Sequence, residues 1–375
     1  MAKAPATFSL KDQLFNANSL GDLADEFGSA VSGFERDAFH RAALSGVADR
    51  SLLDCLDWFA DCLEPYLARD FPAMADQLEA AMPAPLDPSL RDDDFGRFIH
   101  AVPGVLAVRH GLEDHRDRAL DLLYAATQRF SMEFYIRPFL NRWPEETLAR
   151  LAAWVRDDNY HVRRLVSEGT RPRLPWARKV DLTPEQSLPL LDLLQADGTR
   201  FVTRSVANHL NDVAKSDPGA VLERLASWQA DGRQRADERA WTRRHALRSL
   251  IKQGHPGAMA MLGFAANAPV EATIHVATPR VALGAALTFE VVLNARATLP
   301  VLVDYRIRFP RPGGKSGEKV FKLKAGEVRA GKALVLNKVH KLKANATTFE
   351  LHPGVHGLVV QVNGVDRAEA EFEIV

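Results

Sequence analysis

From about residue 10 to residue 265, Leu, Ala and Phe recur at three- and four-residue spacing, the period of a helix with one buried face. LADEFGSAVSGFERDAFHRAAL and RALDLLYAATQRFSMEFYIRPFL show it best. Prolines at 83, 85, 88, 144, 172, 175, 184 and 218 punctuate the pattern. Pro144 and Pro218 each open a leucine-rich run, as proline does at a first helical position. Near residue 268 the period drops to two. ATIHVAT (272–278), LTFEVVLN (287–294), LPVLVDYRIRF (299–309), EKVFKLK (318–324), ALVLNKVHKL (333–342), HGLVVQVN (356–363) and AEAEFEIV (368–375) read as strands separated by turn-rich pieces. Seven short strands in the last hundred residues predict an antiparallel sandwich of immunoglobulin type, without an intersheet disulfide because this half has no cysteine.

Within the helical part a longer period is present. Arg164, Arg204 and Arg244 lie 40 residues apart, in VRRLVSEGT, VTRSVANHL and TRRHALRSL. Each follows a leucine-rich run: Leu148/Leu151/Trp154, Leu188/Leu191/Leu194, then Leu222/Leu225/Trp228. Two amphipathic segments per unit of about 40 residues predict stacked helical pairs of HEAT type, with one cation per repeat along the wall. The third unit is six residues longer between its tryptophan and its arginine, which predicts a longer loop around GRQRADER. The expected fold is multidomain: an all-α HEAT-like solenoid over 1–268, then an all-β immunoglobulin-like sandwich over 269–375.

Composition changes this picture only through its distribution. Formal net charge is zero. Residues 161–180, however, hold six Lys/Arg against Glu168, and 311–345 hold ten against Glu318 and Glu327. Such segregation suggests a polyanion-binding face on a balanced body. The two cysteines, Cys55 and Cys62, share one face of a predicted helix and read as reduced thiols. The start, MAKAPATFSLKDQLFN, lacks a signal-peptide core, and no run of about 18 apolar residues occurs, so the expected location is cytoplasmic. Phosphate-loop, dinucleotide, zinc-protease and CxxC motifs are absent, and the histidines lack metal-ligand spacing; no cofactor or metal is expected. RPGGKSGEK (311–319), with Lys315 and Lys319, reads as a mobile basic hairpin joining two strands.

Four residues carry candidate chemistry. Glu168 falls in the last turn of a helix ending at Gly169, where a carboxylate meets the negative end of the dipole. Arg164 four residues before it and Arg171 three after could form an ion-pair network that only holds the turn. Glu133 stands among Phe130, Phe134, Ile136 and Phe139, with Arg137 as the partner that helical spacing offers. Asp212 lies in SVANHLNDVAK, too polar for a repeat helix; Lys215 would make it a solvated pair. Trp176 closes a Pro-flanked loop, capping a core or, with Arg171 and Arg173, forming a base-stacking platform.

SMEFYIRPFL, VRRLVSEGTRPRLPW, SVANHLNDVAK and HALRSLIKQG together resemble the AlkC branch of the AlkC/AlkD bacterial DNA glycosylases. FSLKDQLFN and PGVHG…VQVNG fit the members that carry an immunoglobulin-like domain. The resemblance implies a helical cradle for duplex DNA and hydrolysis of the N-glycosidic bond of cationic alkylated bases such as 3-methyladenine, without base flipping. By that similarity Glu133, Glu168 and Asp212 form the catalytic group, Trp176 lies beside the lesion, and Arg164 and Arg171 contact phosphates. Arg173, Arg204, Arg244, Lys315 and Lys319 are further candidate DNA contacts, the basic strands clamping the duplex. The expected partner is alkylated duplex DNA, with no membrane, no obligate protein partner and a monomer as default. Two other readings remain open from the residues: a non-catalytic DNA-binding scaffold, and a HEAT-type protein-interaction module. Steep salt dependence separates DNA from protein partners; base release separates enzyme from scaffold.

Overall fold

A computed structural model of the chain describes residues 9–90, 92, 94–311, 315–343 and 351–375. Its contacts divide it into two compact units, one of residues 1–213 and 227–245, the other of 214–226 and 246–375. The last helix ends at Met261 and the first strand begins at Val270. Among the described residues no helix is long and apolar enough to cross a membrane.

The first unit opens with α1 (Leu10–Leu14), α2 (Ala17–Ala30), α3 (Arg36–Ser45), α4 (Leu52–Leu63), α5 (Phe71–Ala80), α6 (Val102–Gly111) and α7 (Arg116–Thr127). Ser51, Asp70 and the Asn16–Ser19 capping box supply N-cap oxygens to amides that a helix start leaves unpaired. α8 (Ile136–Arg142) follows. Then come three pairs: α9 (Pro144–Trp154) with α10 (Tyr160–Gly169), α11 (Pro184–Leu194) with α12 (Arg200–Val213), and α13 (Pro218–Asp231) with α14 (Ala236–Ala246). Proline begins the first helix of each pair, as its missing N–H allows. The 40-residue register reaches the turns as well. Asp157 Oδ1 accepts the Asn159 amide and Asp197 Oδ1 the Thr199 amide, each at 2.8 Å. Neighbouring pairs are tied by Arg163–Asp197 and Arg200–Glu238, each at 2.6 Å.

The expected long loop at GRQRADER does not form. Residues 232–235 are the whole connection. The extra residues instead lengthen α13 past Trp228 and the front of α14, because helix continues to satisfy backbone groups that a loop would leave to water.

The second unit also contains α15 (Arg248–Lys252) and α16 (Pro256–Met261), and two sheets built from β1 (Val270–Val276), β2 (Arg280–Val281), β3 (Ala286–Ala295), β4 (Leu299–Arg311), β5 (Lys315–Val328), β6 (Leu334–Lys341), β7 (Gly354–Val362) and β8 (Val365–Ile374). One sheet runs β1-β3-β6, the other β2-β8-β7-β4-β5. All seven expected strands are present; the two-residue β2, parallel to β8, is additional. β3 alternates buried and less buried positions along its length. Its Leu287, Phe289, Val291 and Leu293 share a core with Val301, Val303, Tyr305 and Ile307 of β4. Asn363 and Gly364, both at positive φ, turn β7 into β8. β4 and β5 pair from Arg311 with Lys315 onward, so the basic segment does join two strands; residues 312–314 and the Lys315 side chain lie outside the described residues.

Candidate active site

The site begins where α10 ends. A helix C-terminus leaves its last carbonyls unpaired, so a carboxylate there needs external donors. Glu168 is 4% exposed and has them. Oε1 accepts from Arg171 Nη1 at 2.5 Å, Oε2 accepts from the Ser205 hydroxyl at 2.5 Å, and Arg164 Nη2 stands 3.9 Å away. Burial pushes the Glu168 carboxyl up, but the two guanidiniums and the hydroxyl outweigh it and hold it below the usual carboxylate range.

Arg171 joins this carboxylate to a second one. Its Nε donates to Asp212 Oδ2 at 2.9 Å, with Nη2 at 2.8 Å from the same oxygen, while Nη1 serves Glu168. Asp212 is 3% exposed, buried rather than solvated as spacing had allowed. Arg171 is itself buried with its fork on two carboxylates, a different place from the phosphate contact the resemblance implies.

Glu133 completes the cluster from outside the repeats. Its Oε2 accepts from Arg164 Nη1 at 2.7 Å and from the Ser131 hydroxyl at 2.6 Å. The expected partner Arg137 is elsewhere. Residues 133–135 form a turn and α8 starts only at Ile136, so helical i,i+4 geometry does not apply. Arg137 instead lies buried and donates to three carbonyls: Gly169 at 2.9 Å, Arg171 at 2.8 Å and Arg178 at 2.5 Å. Burial, then the Arg171 charge, lowers its pKa to about 10. Its role is to tie the end of α10 to the loop that follows.

That loop carries Trp176, which caps no core. It is 69% exposed, with φ of 63° in the left-handed region. A bulky residue held there costs on the order of 1–3 kcal/mol and persists only where surrounding contacts dictate it. Trp176 borders a cleft of about 430 Å³ with Phe134, Tyr135, Pro138, Val105 and Val108. Gly104 makes room for the Tyr135 ring, since a Cβ there would stand 2.3 Å from it.

The polar stripe of α12 is now explained. Ser205, His209 and Asp212, four and three residues apart, all turn toward the end of α10. Fully buried His209 has its pKa lowered to about 4 by desolvation, so it is neutral and its Nδ1–H donates to the Ser167 carbonyl at 3.1 Å.

The wall arginines differ in their engagement. Arg164 and Arg204 occupy the fifth positions of α10 and α12. Arg164 is committed to Glu133; Arg204 is held by both Asp92 oxygens at 2.6 and 2.7 Å. Arg244, ninth in α14, and Arg173 are exposed. Lys319 is half-buried on β5 in the other unit. Among the described residues no group of three or more His, Cys, Asp or Glu side chains could hold a metal ion.

Residues 127–250 match the family model described as DNA alkylation repair enzyme, and 271–375 match the C-terminal Ig-like domain of uncharacterised protein YhaZ. Uncharacterized protein YhaZ of Bacillus subtilis is 32% identical over 264 residues, covering 69% of this chain and 72% of that one. The alkylpurine DNA glycosylase AlkC of Pseudomonas fluorescens, bound to DNA containing an abasic site analog, is similar in structure with a TM-score of 0.85 and 33% identity over 98% of this chain and 100% of that chain. The chain belongs to the AlkC-type DNA alkylation repair family. The matched span of this AlkC-type chain contains Glu133, Glu168 and Asp212 together with Ser131, Arg137, Arg164, Arg171 and Ser205. Of these, sequence reasoning missed the two serines and the role of Arg137. The serines had a signal: Ser205 shares the helical stripe of Asp212, and Ser131 stands two residues before Glu133.

Proposed function

We propose that the chain is a DNA glycosylase that hydrolyses the N-glycosidic bond of cationic alkylated purines, 3-methyladenine among them, in duplex DNA. The observation that carries this reading is the shared guanidinium of Arg171 with Glu168 and Asp212 on its two edges, inside a family of alkylation repair enzymes. A quaternised base is already a competent leaving group, so a strong general acid is not required. What the site supplies is negative charge for an oxocarbenium-like sugar and an acceptor to orient water. Three carboxylates gathered at one place suit a cationic lesion better than a neutral base. Glu133 has the most exposed of the three side chains, which favours it as the group nearest substrate. Trp176 offers a ring face for the same cation, a contact of order 0.5–2 kcal/mol. Its exposure favours a reading in which the lesion is met from outside the duplex rather than flipped into an enclosed pocket. Arg173, Arg204 and Arg244, with Lys315 and Lys319, are proposed as phosphate contacts, and Arg171 as the cation that binds the two buried carboxylates together.

The test is release of free methylated base, with abasic sites left behind, from alkylated duplex incubated with the purified chain. Glu133→Gln, Glu168→Gln and Asp212→Asn each lower the single-turnover rate. Full activity in all three removes the site assignment, and no release by the unaltered chain removes the function.

A further inference from the structure

Phe201, second residue of α12, is buried beneath the Arg164 guanidinium, whose central carbon lies 4.4 Å from the ring centroid. Three rings brace it edge-on: Tyr160 at 5.9 Å and 80°, His161 at 5.6 Å and 72°, and Phe95 at 5.0 Å and 81°. Phe95 comes from the segment between α5 and α6, itself fixed at two points. Asp92 grips Arg204 three residues beyond Phe201, and Gly96, at φ of 67°, lets the chain pass where a Cβ would stand 1.9 Å from the Arg129 carbonyl. Above this platform Arg164 has acceptors on two sides. Nη1 donates to Glu133 and Ser131, and Nη2 stands 3.9 Å from Glu168. A guanidinium between two carboxylates can tilt toward either. A ring face resists the tilt, because the attraction holds only while the planar cation lies over the ring.

We propose that Phe201 is a positioning residue: its ring sets the plane of Arg164, and Arg164 thereby holds Glu133 in its working orientation. The inference rests on the glycosylase reading, and its test keeps the two apart. In the full chain, Phe201→Leu lowers the single-turnover rate of base release about tenfold, the scale of a partly desolvated cation–π contact, while duplex affinity stays within about twofold. Phe201→Tyr keeps a ring face and restores the rate to within about threefold of the unaltered chain. Phe95→Ala, an exposed position that leaves folding intact, slows release by about twofold. The deciding measurement is the cycle with Glu133→Gln: in that background Phe201→Leu has no further effect, because the group it positions is gone. Leu191→Ala, a buried leucine of α11, serves as a packing control and leaves the rate per folded molecule unchanged.

Additive effects of Phe201→Leu and Glu133→Gln, or a Leu191→Ala loss as large as that of Phe201→Leu, overturn the proposal while leaving the glycosylase reading intact. Full activity of Glu133→Gln overturns both the proposal and that residue's assignment. An unaltered chain that releases no base removes the function itself.

Discussion

Replacing Arg171 by Met tests whether one guanidinium holds the site together. Methionine keeps most of the aliphatic stem and removes the fork that reaches Glu168 at 2.5 Å and Asp212 at 2.8 and 2.9 Å. Two carboxylates of 4% and 3% exposure then lose the cation they share. Breaking a buried ion pair from one side costs about 3–5 kcal/mol. For a unit of this size that is a fall in melting temperature of roughly 6–20 °C at neutral pH. The pH dependence gives the sharper signature. In the unaltered chain the folded Glu168 carboxyl is held below its ordinary value. It therefore contributes stability above its unfolded pKa, lost as pH falls through the folded one. Without Arg171, one of the groups holding the folded value down is gone, so that value rises and less of this stability remains at neutral pH. The difference between the two proteins should be largest at pH 7.5 and shrink toward pH 4.5, by up to about 1.4 kcal/mol per pH unit for the Glu168 carboxyl. Thermal melts followed by helix ellipticity across that range read it directly. A melting difference independent of pH, or under about 1 kcal/mol at pH 7.5, would refute the shared-cation account; Arg171→Lys, charged but without the fork, should fall between.

Duplex binding should weaken by about 10³–10⁵ between 50 and 200 mM salt if 6–10 phosphates are neutralised; a flat profile counts against the basic wall. Replacing both Lys315 and Lys319 by Ala should reduce the slope of log K against log salt by about 2, with little change in melting. Trp176→Gly should slow base release while leaving the melting temperature equal or higher, since glycine adopts the left-handed φ of 63° without strain; a stability loss would show the indole is packing, not contacting DNA. Gly254→Ala should destabilise the second unit, because φ there is 70° and the new Cβ would stand 2.6 Å from the Gly364 carbonyl; melting of the sheet signal checks it.

What could be read from the sequence was set by period. Spacing of three and four gave the helices, spacing of two gave seven of the eight strands, and the interval of 40 gave the arginine positions on α10 and α12. What could not be read was any partner at long range. Arg171 and Glu168, three residues apart, were visible as a pair; Asp212, 41 residues away, was not visible as the other half of the same bridge. Asp92 reaches Arg204 across 112 residues, and no local pattern points to it. Glu133 was misassigned to Arg137 for a physical reason: the rule of four presumes a helix, and the chain turns there before the helix starts. The six extra residues near Gly232 failed similarly. The added length suggested a loop, yet residues 229–231 extend α13 and 236–239 begin α14, leaving only 232–235 between them.

The repeat supplies its own control for what the site costs. Forty residues on from Glu168 and Arg171 stand Asn208 and Asn211, on a helix that packs in the same register. The scaffold therefore accepts neutral amides at these two positions. Yet between Arg164 and Arg178 the chain places a carboxylate at a negative helix end, buries Arg171 with it, and forces a tryptophan into left-handed backbone. Each choice is unfavourable to folding, and all fall on one span of fifteen residues. Local rules broken together within one short span are what a reactive site leaves on a stable framework. On this argument adding Glu168→Gln to Arg171→Met should recover part of the melting loss of Arg171→Met, with Asp212 still lacking that guanidinium, while releasing no methylated base. If the double variant is instead less stable than Arg171→Met alone, the charges serve the fold and the case for chemistry at α10 weakens.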